Sequence, residues 1–150
     1  MLAMLLPLSA TIEVRDRCLC FRAQRAARVL ARRFDRAFRP LGLTNGQFSL
    51  LMALNRPEPP GMGSVAAFLG MDRTSLTAAL KPLERQGLVA VAPDPQDGRG
   101  RLVSLTEAGH ALLAEALPIW RAEHDRLDEA LAGSVDPEAL RDGLGAAAEA

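Results

Sequence analysis

The stretch LGMDRTSLTAALKPLERQGLV, residues 69 to 89, decides the fold because it delimits its own helix. Asp72 is a suitable N-cap, since its carboxylate can accept hydrogen bonds from the unpaired backbone N–H groups of the first turn. Gly87 suits the left-handed position after the last turn. At about 100° per residue, apolar and polar side chains separate onto two arcs. The apolar arc holds Leu76, Ala79, Leu80 and Leu83, and the polar arc holds Arg73, Thr74, Thr77, Lys81 and Arg85.

A shorter helix just before this one completes a helix-turn-helix pattern. Ser64 can cap the run VAAFLG, residues 65 to 70, and Gly70 is expected to end it. The helix that Asp72 caps begins three residues later, so a tight turn joins the two helices. Pro82 removes one backbone hydrogen bond inside the second helix and should bend its axis.

Two β-branched runs after that helix predict a β-hairpin. They are LVAVAP, residues 88 to 93, and RLVSL, residues 101 to 105, and they flank the polar stretch DPQDGRG. Asp97–Gly98 is the turn signal in that stretch, because Asp-Gly favours a tight hairpin turn. A hairpin that follows a helix-turn-helix is a wing, and this wing carries Arg99 and Arg101 near its tip.

Long helical patterns flank this unit on both sides. From Ile12 to Arg39, apolar residues recur at helical spacing without Gly or Pro, which predicts one long helix. Thr44 and Gln47 form a capping box that begins a further helix. After the wing, Thr106 is expected to cap a long helix and Asp136 to cap a last one. The first and last helices carry more apolar surface than a small winged helix can cover, so we expect self-association through them.

The length of 150 residues corresponds to one domain whose core needs no disulfide. The pattern therefore predicts a single domain, residues 1 to 150, that is mainly α with a small β-hairpin wing. Residues 44 to 105 are expected to form a winged helix-turn-helix. Residues 12 to 39 and 106 to 148 are expected to form dimerisation helices on either side of it.

Charge is distributed unevenly along a chain whose formal net charge is zero. Residues 1 to 101 hold 15 basic and 8 acidic side chains, a surplus of 7, and residues 102 to 150 hold 3 basic and 10 acidic ones, a deficit of 7. Such an uneven distribution of charge is typical of a protein that binds phosphate with one of its surfaces. Packed helices that form salt bridges with each other would give the same counts. All the cations except Lys81 are arginines, which favours planar, bidentate contacts.

The N-terminal run MLAMLLPLSA is apolar, but it lacks a basic start, contains Pro7 and is too short to span a bilayer. We therefore expect neither an export signal nor a membrane helix. Cys18 and Cys20 are next-but-one neighbours that would point to different faces of a helix. A bridge between them would need unwinding, so they are expected to be thiols in a reducing cytoplasm.

The order of the elements and three motifs resemble the MarR family of bacterial transcriptional regulators. The motifs are FRPLGLT (residues 38 to 44), MDRTSLTAALKPLERQGLV (71 to 89) and DPQDGRGRLVSLTEAG (94 to 109), and the likeness extends over residues 18 to 131. It implies a homodimer that binds a palindromic operator and responds to a small ligand or an oxidant. Two positions depart from the family, because Gln96 stands where the wing commonly has arginine and Ala78 where the second helix often has a cation.

The polar face of the second helix is expected to read base edges in the major groove of double-stranded DNA, and the wing is expected to reach the minor groove or its phosphates. A two-fold dimer would place two such helices about 34 Å apart on one face of the duplex. Ser64 and Asp97 should act in support, the first by capping the preceding helix and the second by shaping or anchoring the wing. The residues expected to contact DNA directly are Arg73, Thr74, Ser75, Thr77, Lys81, Arg99 and Arg101.

Cys20 has a second interpretation, with Cys18 as a further redox candidate. The run LCFRAQRAARVLARRFDRAFRPLGLT, residues 19 to 44, resembles the first helix of the organic-hydroperoxide regulators in this family and aligns Cys20 with their reactive cysteine. This implies a thiol-based peroxide-sensing repressor. Those proteins hold the thiolate with tyrosine hydroxyls, whereas this chain has no tyrosine; Arg17 and Arg22 could stabilise a thiolate instead. The alternative is that Cys20 is a small apolar residue on a helix.

Little in the sequence favours an enzyme. Only His110 and His124 could serve as bases or ligands, and neither has acid–base or metal-ligand spacing to the cysteines. We therefore expect no catalytic residue, no cofactor and no metal, and we expect His124 to be packed or to line an effector pocket. The remaining rival is a winged helix that binds only another protein, because the net charge is zero and two expected cations are absent.

Overall fold

Seven α-helices, a short 3₁₀-helix and one two-stranded antiparallel hairpin make up residues 5–150, the part of the chain that the computed structural model describes. The predicted fold class, mainly α with a hairpin wing, is confirmed. In chain order the elements are α1 (Leu8–Arg17), α2 (Leu19–Phe38), the 3₁₀-helix (Arg39–Leu41), α3 (Asn45–Leu54), α4 (Met62–Leu69), α5 (Arg73–Arg85), β1 (Val89–Asp94), β2 (Asp97–Leu105), α6 (Glu107–Leu131) and α7 (Pro137–Glu149).

Helix α5 has the caps and the apolar face that its sequence predicts. Asp72 is the N-cap, and its Oδ1 accepts a hydrogen bond from the backbone N–H of Ser75 at 2.8 Å. Gly87 follows the helix in the left-handed region, with a φ of 71°. The helix continues through Pro82. Its apolar face is buried and consists of Leu76, Leu80 and Leu83.

Helix α4 begins earlier than predicted, so Ser64 does not cap it. Gly61 is the N-cap, which leaves Ser64 inside the first turn. Tertiary pairing fixes this start, because Gly61 forms an isolated β-bridge with Leu102 of β2. The predicted end of the helix at Gly70 is confirmed.

The hairpin turns at Pro95 and Gln96, so the predicted turn at Asp97–Gly98 is wrong. Asp94 Oδ1 accepts a hydrogen bond from Gln96 N at 2.9 Å. Proline also suits the first central position of a β-turn. Together these features place the turn two residues before the predicted one. Residues 98 to 100 then lie opposite no residue of β1, so they form a bulge near the tip of the wing.

The first predicted helix is two helices, because the chain is interrupted at Cys18. This residue has an extended backbone, with ψ of 106°, and its Sγ accepts a hydrogen bond from Phe21 N at 3.3 Å as the N-cap of α2. Arg22 stabilises the break by donating to the carbonyl oxygen of Asp16 from Nε at 3.3 Å and from Nη2 at 3.2 Å. Helix α1 also starts at Leu8 rather than near residue 12.

One hydrophobic core joins the helix-turn-helix to α2, α3 and α6. Aromatic rings connect the long helices, since Phe38 of α2 stacks on Phe48 of α3 with 4.8 Å between ring centroids. The largest fully buried side chains come from five different elements and are Phe38, Leu51, Val65, Leu76, Leu83 and Val103. The elements that carry the candidate site are therefore held in fixed relative positions.

Thr106 and Gly109 fasten α6 to the chain that follows α5. Thr106 Oγ1 accepts a hydrogen bond from Gly109 N at 3.1 Å and donates to the carbonyl oxygen of Gly87 at 2.5 Å. Gly109 lies against the backbone of Leu88, where an added Cβ would be 2.1 Å from the carbonyl oxygen. The sequence predicts the cap at Thr106, which is confirmed, but gave no indication of the contact at Gly109.

The terminal helices α1 and α7 contain no buried residue. Asp136 caps α7, and the capping box of Thr44 and Gln47 begins α3, so both predictions are confirmed. Within residues 5–150, no helix combines the length and the apolar character that crossing a membrane needs. The interpretation of the N-terminal run as neither signal nor anchor rests partly on residues 1 to 4, which lie outside the described residues.

Candidate nucleic-acid interface

The outward face of α5 is formed by five predicted contact residues, and all of them are exposed. Ser75 Oγ donates to Asp72 Oδ2 at 2.7 Å, and Thr77 Oγ1 donates to the carbonyl oxygen of Arg73 at 2.8 Å, so these two hydroxyls offer only acceptor lone pairs outward. Within residues 5–150, the side chains of Arg73, Thr74 and Lys81 have no hydrogen-bond partner. They are therefore available to an external ligand.

The carboxyl group of Asp72 fixes the start of this face. The backbone N–H of Ser75, and then its hydroxyl, lower the pKa of Asp72 below its usual value, because both donate to the charged form. Asp72 is thus ionised at neutral pH and stabilises the positive end of the α5 dipole. The first turn of α5, which carries Arg73, is held in place by this cap.

The wing is shaped by hydrogen bonds from its own carboxylates. Asp97 Oδ1 accepts a hydrogen bond from Arg99 N at 3.1 Å, which braces the bulge. Arg99 and Arg101 are exposed, and Arg101 Nη1 donates to the carbonyl oxygen of Gly100 at 3.4 Å. The predicted role of Asp97 in shaping the wing requires such a hydrogen bond between this residue and the backbone of the wing. Its carboxylate acts within the wing, and the two guanidinium groups are left at the surface.

A cavity of about 350 Å³ lies between the start of α5 and the wing. Four of the predicted contact residues line this cavity, two from each element. The structure therefore brings the N-terminal turns of α5 and the tip of the wing to one concave face. Those four residues are Arg73, Thr77, Arg99 and Arg101.

Gly63 is a site residue that the sequence does not reveal. A Cβ at this position of α4 would be 2.7 Å from Arg73 Nη2, so the guanidinium group of Arg73 lies directly over the glycine backbone. The absence of a side chain gives Arg73 room to rest there in the free protein. The only feature of the sequence that could indicate this contact is the pair of glycines that flank Met62, and such a pair is equally typical of a loop.

Ser64 contributes to the surface beside this face through a hydrogen bond that the sequence also does not reveal. Its Oγ accepts from Arg56 Nη1 at 3.0 Å, while Arg56 Nε donates to the carbonyl oxygen of Ala53 at 3.0 Å. The guanidinium carbon of Arg56 also lies 5.4 Å from the ring centroid of Phe68. Ser64 therefore holds a basic side chain in place rather than capping α4.

His124 is packed among aromatic rings, as its apolar stripe predicts. The centroid of its ring lies 4.4 Å from that of Trp120 and 4.8 Å from that of Phe34. Burial lowers the pKa of His124, and the charge of Arg141 acts in the same direction while that of Asp128 opposes it. Its neutral form is therefore favoured near neutral pH. His110 is exposed, and residues 5–150 contain no cluster of three potential metal ligands.

The two cysteines lie at the break between α1 and α2, where Cys18 is half-buried and Cys20 is exposed. Cys20 Sγ accepts a hydrogen bond from Gln24 Nε2 at 3.1 Å. The expected assistance from Arg17 and Arg22 is not seen, because Arg17 pairs with Glu13 at 2.5 Å and Arg22 binds the backbone of α1. The thiol of Cys20 therefore faces solvent beside an amide rather than a guanidinium group.

The comparisons with known proteins agree with this architecture. Residues 41–100 match the model of the MarR family. The chain is 39% identical over 117 residues to the transcriptional activatory protein BadR of Rhodopseudomonas palustris, covering 75% of this chain and 66% of BadR. It is 31% identical over 101 residues to the organic hydroperoxide resistance transcriptional regulator of Bacillus subtilis, covering 67% of this chain and 69% of that protein.

Solved structures extend the likeness to nearly the whole chain. The transcriptional regulator MosR of M. tuberculosis in complex with DNA aligns with a TM-score of 0.77 and 37% identity over 88% of this chain and 94% of MosR. CouR of Rhodococcus jostii bound to p-coumaroyl-CoA aligns with a TM-score of 0.72 and 27% identity over 89% of this chain and 93% of CouR. The similar proteins thus include one solved with DNA and one solved with a small ligand.

Proposed function

The chain belongs to the MarR family of transcriptional regulators, and from this premise we propose that it is a homodimeric repressor that binds a palindromic operator in double-stranded DNA. The observation that carries the proposal is the concave face on which the first turns of α5 meet the wing. Arginine side chains from both elements line it, and spaced guanidinium groups on a helix and a hairpin can engage a groove and its phosphates together.

Each predicted residue has a role that its placement supports. Arg73 and Thr74, at the start of α5, would read base edges, and Lys81 would meet a phosphate further along the groove. Ser75 and Thr77 would accept hydrogen bonds, because their protons are already donated within the helix. Arg99 and Arg101 would contact the minor groove or its phosphates, with Asp97 bracing the bulge and Ser64 holding Arg56 at the surface.

The homodimer is supported by the apolar surface that one chain leaves uncovered. Large side chains of the terminal helices are exposed, among them Ile12 at 41% and Leu144 at 52%. Burying such surface against a second copy is the ordinary outcome in soluble proteins. A two-fold dimer would also present two copies of α5 to one duplex.

Salt dependence of DNA binding tests the proposal. Affinity for a duplex from the region upstream of the gene should fall linearly in a plot of log K against log salt, because bound side chains displace counterions. In Arg99→Ala the magnitude of this slope should fall by about 1 for each phosphate contact that is lost, or by about 2 for a dimer. The affinities for the operator and for unrelated duplexes should fall by the same factor. Fluorescence anisotropy at several salt concentrations measures both quantities.

Arg121→Ala is the matched control for that experiment, because Arg121 is an exposed arginine of α6 outside the concave face. Its slope should equal that of the unaltered protein. Binding that is insensitive to salt, or retention of a protein partner without any DNA binding, would favour the rival interpretation of a winged helix that serves protein interaction.

Regulation by a small effector completes the proposal. CouR, which was solved with p-coumaroyl-CoA, supports a small-molecule effector for this chain. The sign of regulation differs among the relatives, since BadR is named an activatory protein. Repression is the outcome expected here, and a reporter gene placed behind the region upstream of the gene should be derepressed when the regulator is deleted.

A second candidate is thiol-based sensing of organic hydroperoxide, supported by the exposed thiol of Cys20 and by the Bacillus subtilis relative. In this reaction the Cys20 thiol attacks the terminal peroxide oxygen, the O–O bond breaks, and the products are a cysteine sulfenic acid and the alcohol. The sulfur loses two electrons and the peroxide gains them. The new group lies at the junction of α1 and α2, within residues 12 to 39, which are expected to form part of the dimer.

We expect a stoichiometric amount of cumene hydroperoxide to raise the Kd of the unaltered protein for its operator by about tenfold or more. A change of this size is typical of allosteric coupling. Cys20→Ser should keep its affinity, and Cys18→Ser should still respond. Electrophoretic mobility shift and mass spectrometry of the sulfenic acid trapped with dimedone give the readouts. Release of the Cys20→Ser variant by peroxide would remove this candidate and leave the DNA-binding proposal intact.

A further inference from the structure

Arg56 lies in the connection between α3 and α4, and its guanidinium group is held on three sides. Nε donates to the carbonyl oxygen of Ala53 and Nη1 donates to Ser64 Oγ, each at 3.0 Å. The guanidinium carbon lies 5.4 Å from the ring centroid of Phe68. That ring is itself 69% exposed, so these contacts hold the cation at the surface and not in the core.

The charge of Arg56 has no acidic partner. Among residues 5–150, the arginines that form ion pairs all belong to α1, α2, α6 and α7, and they are Arg15, Arg17, Arg33, Arg126 and Arg141. No carboxylate of the described chain lies within 4.0 Å of Arg56, although Glu58 is only two residues away. Within the same residues, Nη2 of Arg56 has no hydrogen-bond partner. A guanidinium group that is fixed in place, with free N–H donors and no acidic neighbour, is suited to bind an external anion.

Arg56 also lies beside the face that is proposed to bind DNA. Ser64 follows Gly63 in the first turn of α4, and the guanidinium group of Arg73 lies over Gly63. Because consecutive Cα atoms are about 3.8 Å apart, two guanidinium groups lie over neighbouring residues of one helical turn. In a helix-turn-helix the second helix enters the major groove, and the first helix crosses the sugar–phosphate backbone. Here α4 is the first helix, so Arg56 lies where the backbone that borders the groove would pass.

We infer that Arg56 binds a phosphate of the strand that borders the groove entered by α5, and that Ser64 and Phe68 position its guanidinium group. The inference rests on the DNA binding proposed above and adds a contact from the connection between α3 and α4. The phosphate accepts hydrogen bonds from Nη2 while Nε and Nη1 keep their bonds to the protein. Since the side chain is already fixed, binding does not have to immobilise it. A phosphate contact carries no base information, so Arg56 contributes to affinity and not to the choice of sequence.

Arg56→Met separates this role from a purely structural one at the end of α3, where Nε of Arg56 satisfies the carbonyl group of Ala53. Methionine keeps an unbranched apolar stem beside Phe68 but has neither a charge nor a donor. In anisotropy titrations of the upstream duplex, the magnitude of the slope of log K against log salt should fall by about 2 for a dimer. The affinities for operator and unrelated duplexes should fall by the same factor, about tenfold or more near physiological salt. Arg56→Lys keeps the charge and should restore the slope.

Ser64→Ala tests the positioning role. This variant removes the acceptor of the Nη1 bond but leaves the charge of Arg56 in place. The affinity should therefore fall by about threefold, the cost of immobilising a loosened side chain, while the salt slope stays that of the unaltered protein. In the Arg56→Met background, Ser64→Ala should have no further effect on affinity, because no guanidinium group remains to be held.

Ethylation interference locates the contact on the duplex. In Arg56→Met, one phosphate of each half-site should cease to interfere when it is ethylated, and it should differ from the phosphate that is affected in Arg99→Ala. Circular dichroism and urea denaturation check that each variant is folded. Arg56→Gln, whose side-chain amide can still donate to the Ala53 carbonyl, replaces Arg56→Met if that variant is unfolded, and the same loss of slope is expected.

A folded Arg56→Met variant whose salt slope equals that of the unaltered protein and of Arg121→Ala would overturn the inference. Arg56 would then serve only the end of α3, and the proposed regulator would stand. If the unaltered protein itself shows no salt-dependent binding to DNA, the proposed function fails and this contact fails with it.

Discussion

Replacing Gly109 with alanine is expected to lower the free energy of unfolding by about 3 kcal/mol or more, which is the upper range for an overpacked position. The added Cβ would lie 2.1 Å from the carbonyl oxygen of Leu88 and 3.1 Å from its carbonyl carbon. A flexible side chain could move aside, but this neighbour is backbone. Leu88 O accepts a hydrogen bond from Thr106 N at 3.1 Å, and Leu88 N donates to Leu83 O at 2.9 Å, so a shift would break the link between α5, the wing and α6.

Urea denaturation followed by circular dichroism measures this effect, and Gly46→Ala is the matched control. Gly46 is also a helical glycine, in the first turn of α3, but a Cβ added there meets nothing within 4 Å. Its free energy of unfolding should stay unchanged or rise by up to about 1 kcal/mol, because alanine loses less backbone entropy than glycine. Equal stabilities of the two variants would show that the Leu88 carbonyl can yield.

The helix ends of this fold could be predicted where a cap is local in sequence. Asp72, Thr44, Thr106 and Asp136 each bond to a backbone N–H two or three residues away, so the short motif contains all the information needed. The start of α4 could not be predicted in this way. It depends on Gly61 pairing with β2, which is distant in the chain.

The break between α1 and α2 at Cys18 could not be predicted from the sequence, for a different reason. Neither Gly nor Pro marks it, and the capping acceptor is a sulfur atom, which is an unusual N-cap. The turn of the wing was misplaced because two Asp residues compete, and Asp94 wins with Pro95 beside it. Asp97–Gly98 then forms the bulge rather than the turn. Sequence reasoning thus found the wing and its arginines but not the loop geometry that positions them.

The candidate contact residues could be named from helical spacing alone, since exposure of one face of α5 follows from burial of the other. Their internal bonds could not. The rotamers of Ser75 and Thr77 determine that their hydroxyls donate within the helix. The position of Arg73 over Gly63 depends on the neighbouring helix α4. These contacts change the chemistry expected of each residue while leaving the choice of face intact.

Arg73→Ala is expected to lower the affinity for the operator by about 2–6 kcal/mol, because a bidentate arginine–base contact contributes about 1–3 kcal/mol of discrimination and a dimer has two of them. The lower limit corresponds to about thirtyfold in Kd. Affinity for an unrelated duplex should change far less, so the ratio of the two affinities falls. Competition fluorescence anisotropy at one fixed salt concentration measures that ratio.

Arg85→Ala is the appropriate comparison, because Arg85 is an exposed arginine on the same helix but at its last position. Removing it changes the charge of α5 by the same amount, so a purely electrostatic role would weaken binding equally in the two variants. Only a base contact requires the first turn, where Asp72 fixes the helix and Arg73 can swing away from Gly63 into a groove. A uniform loss across all duplexes in Arg73→Ala would therefore assign Arg73 to phosphate, and base reading would have to come from Thr74 and its neighbours.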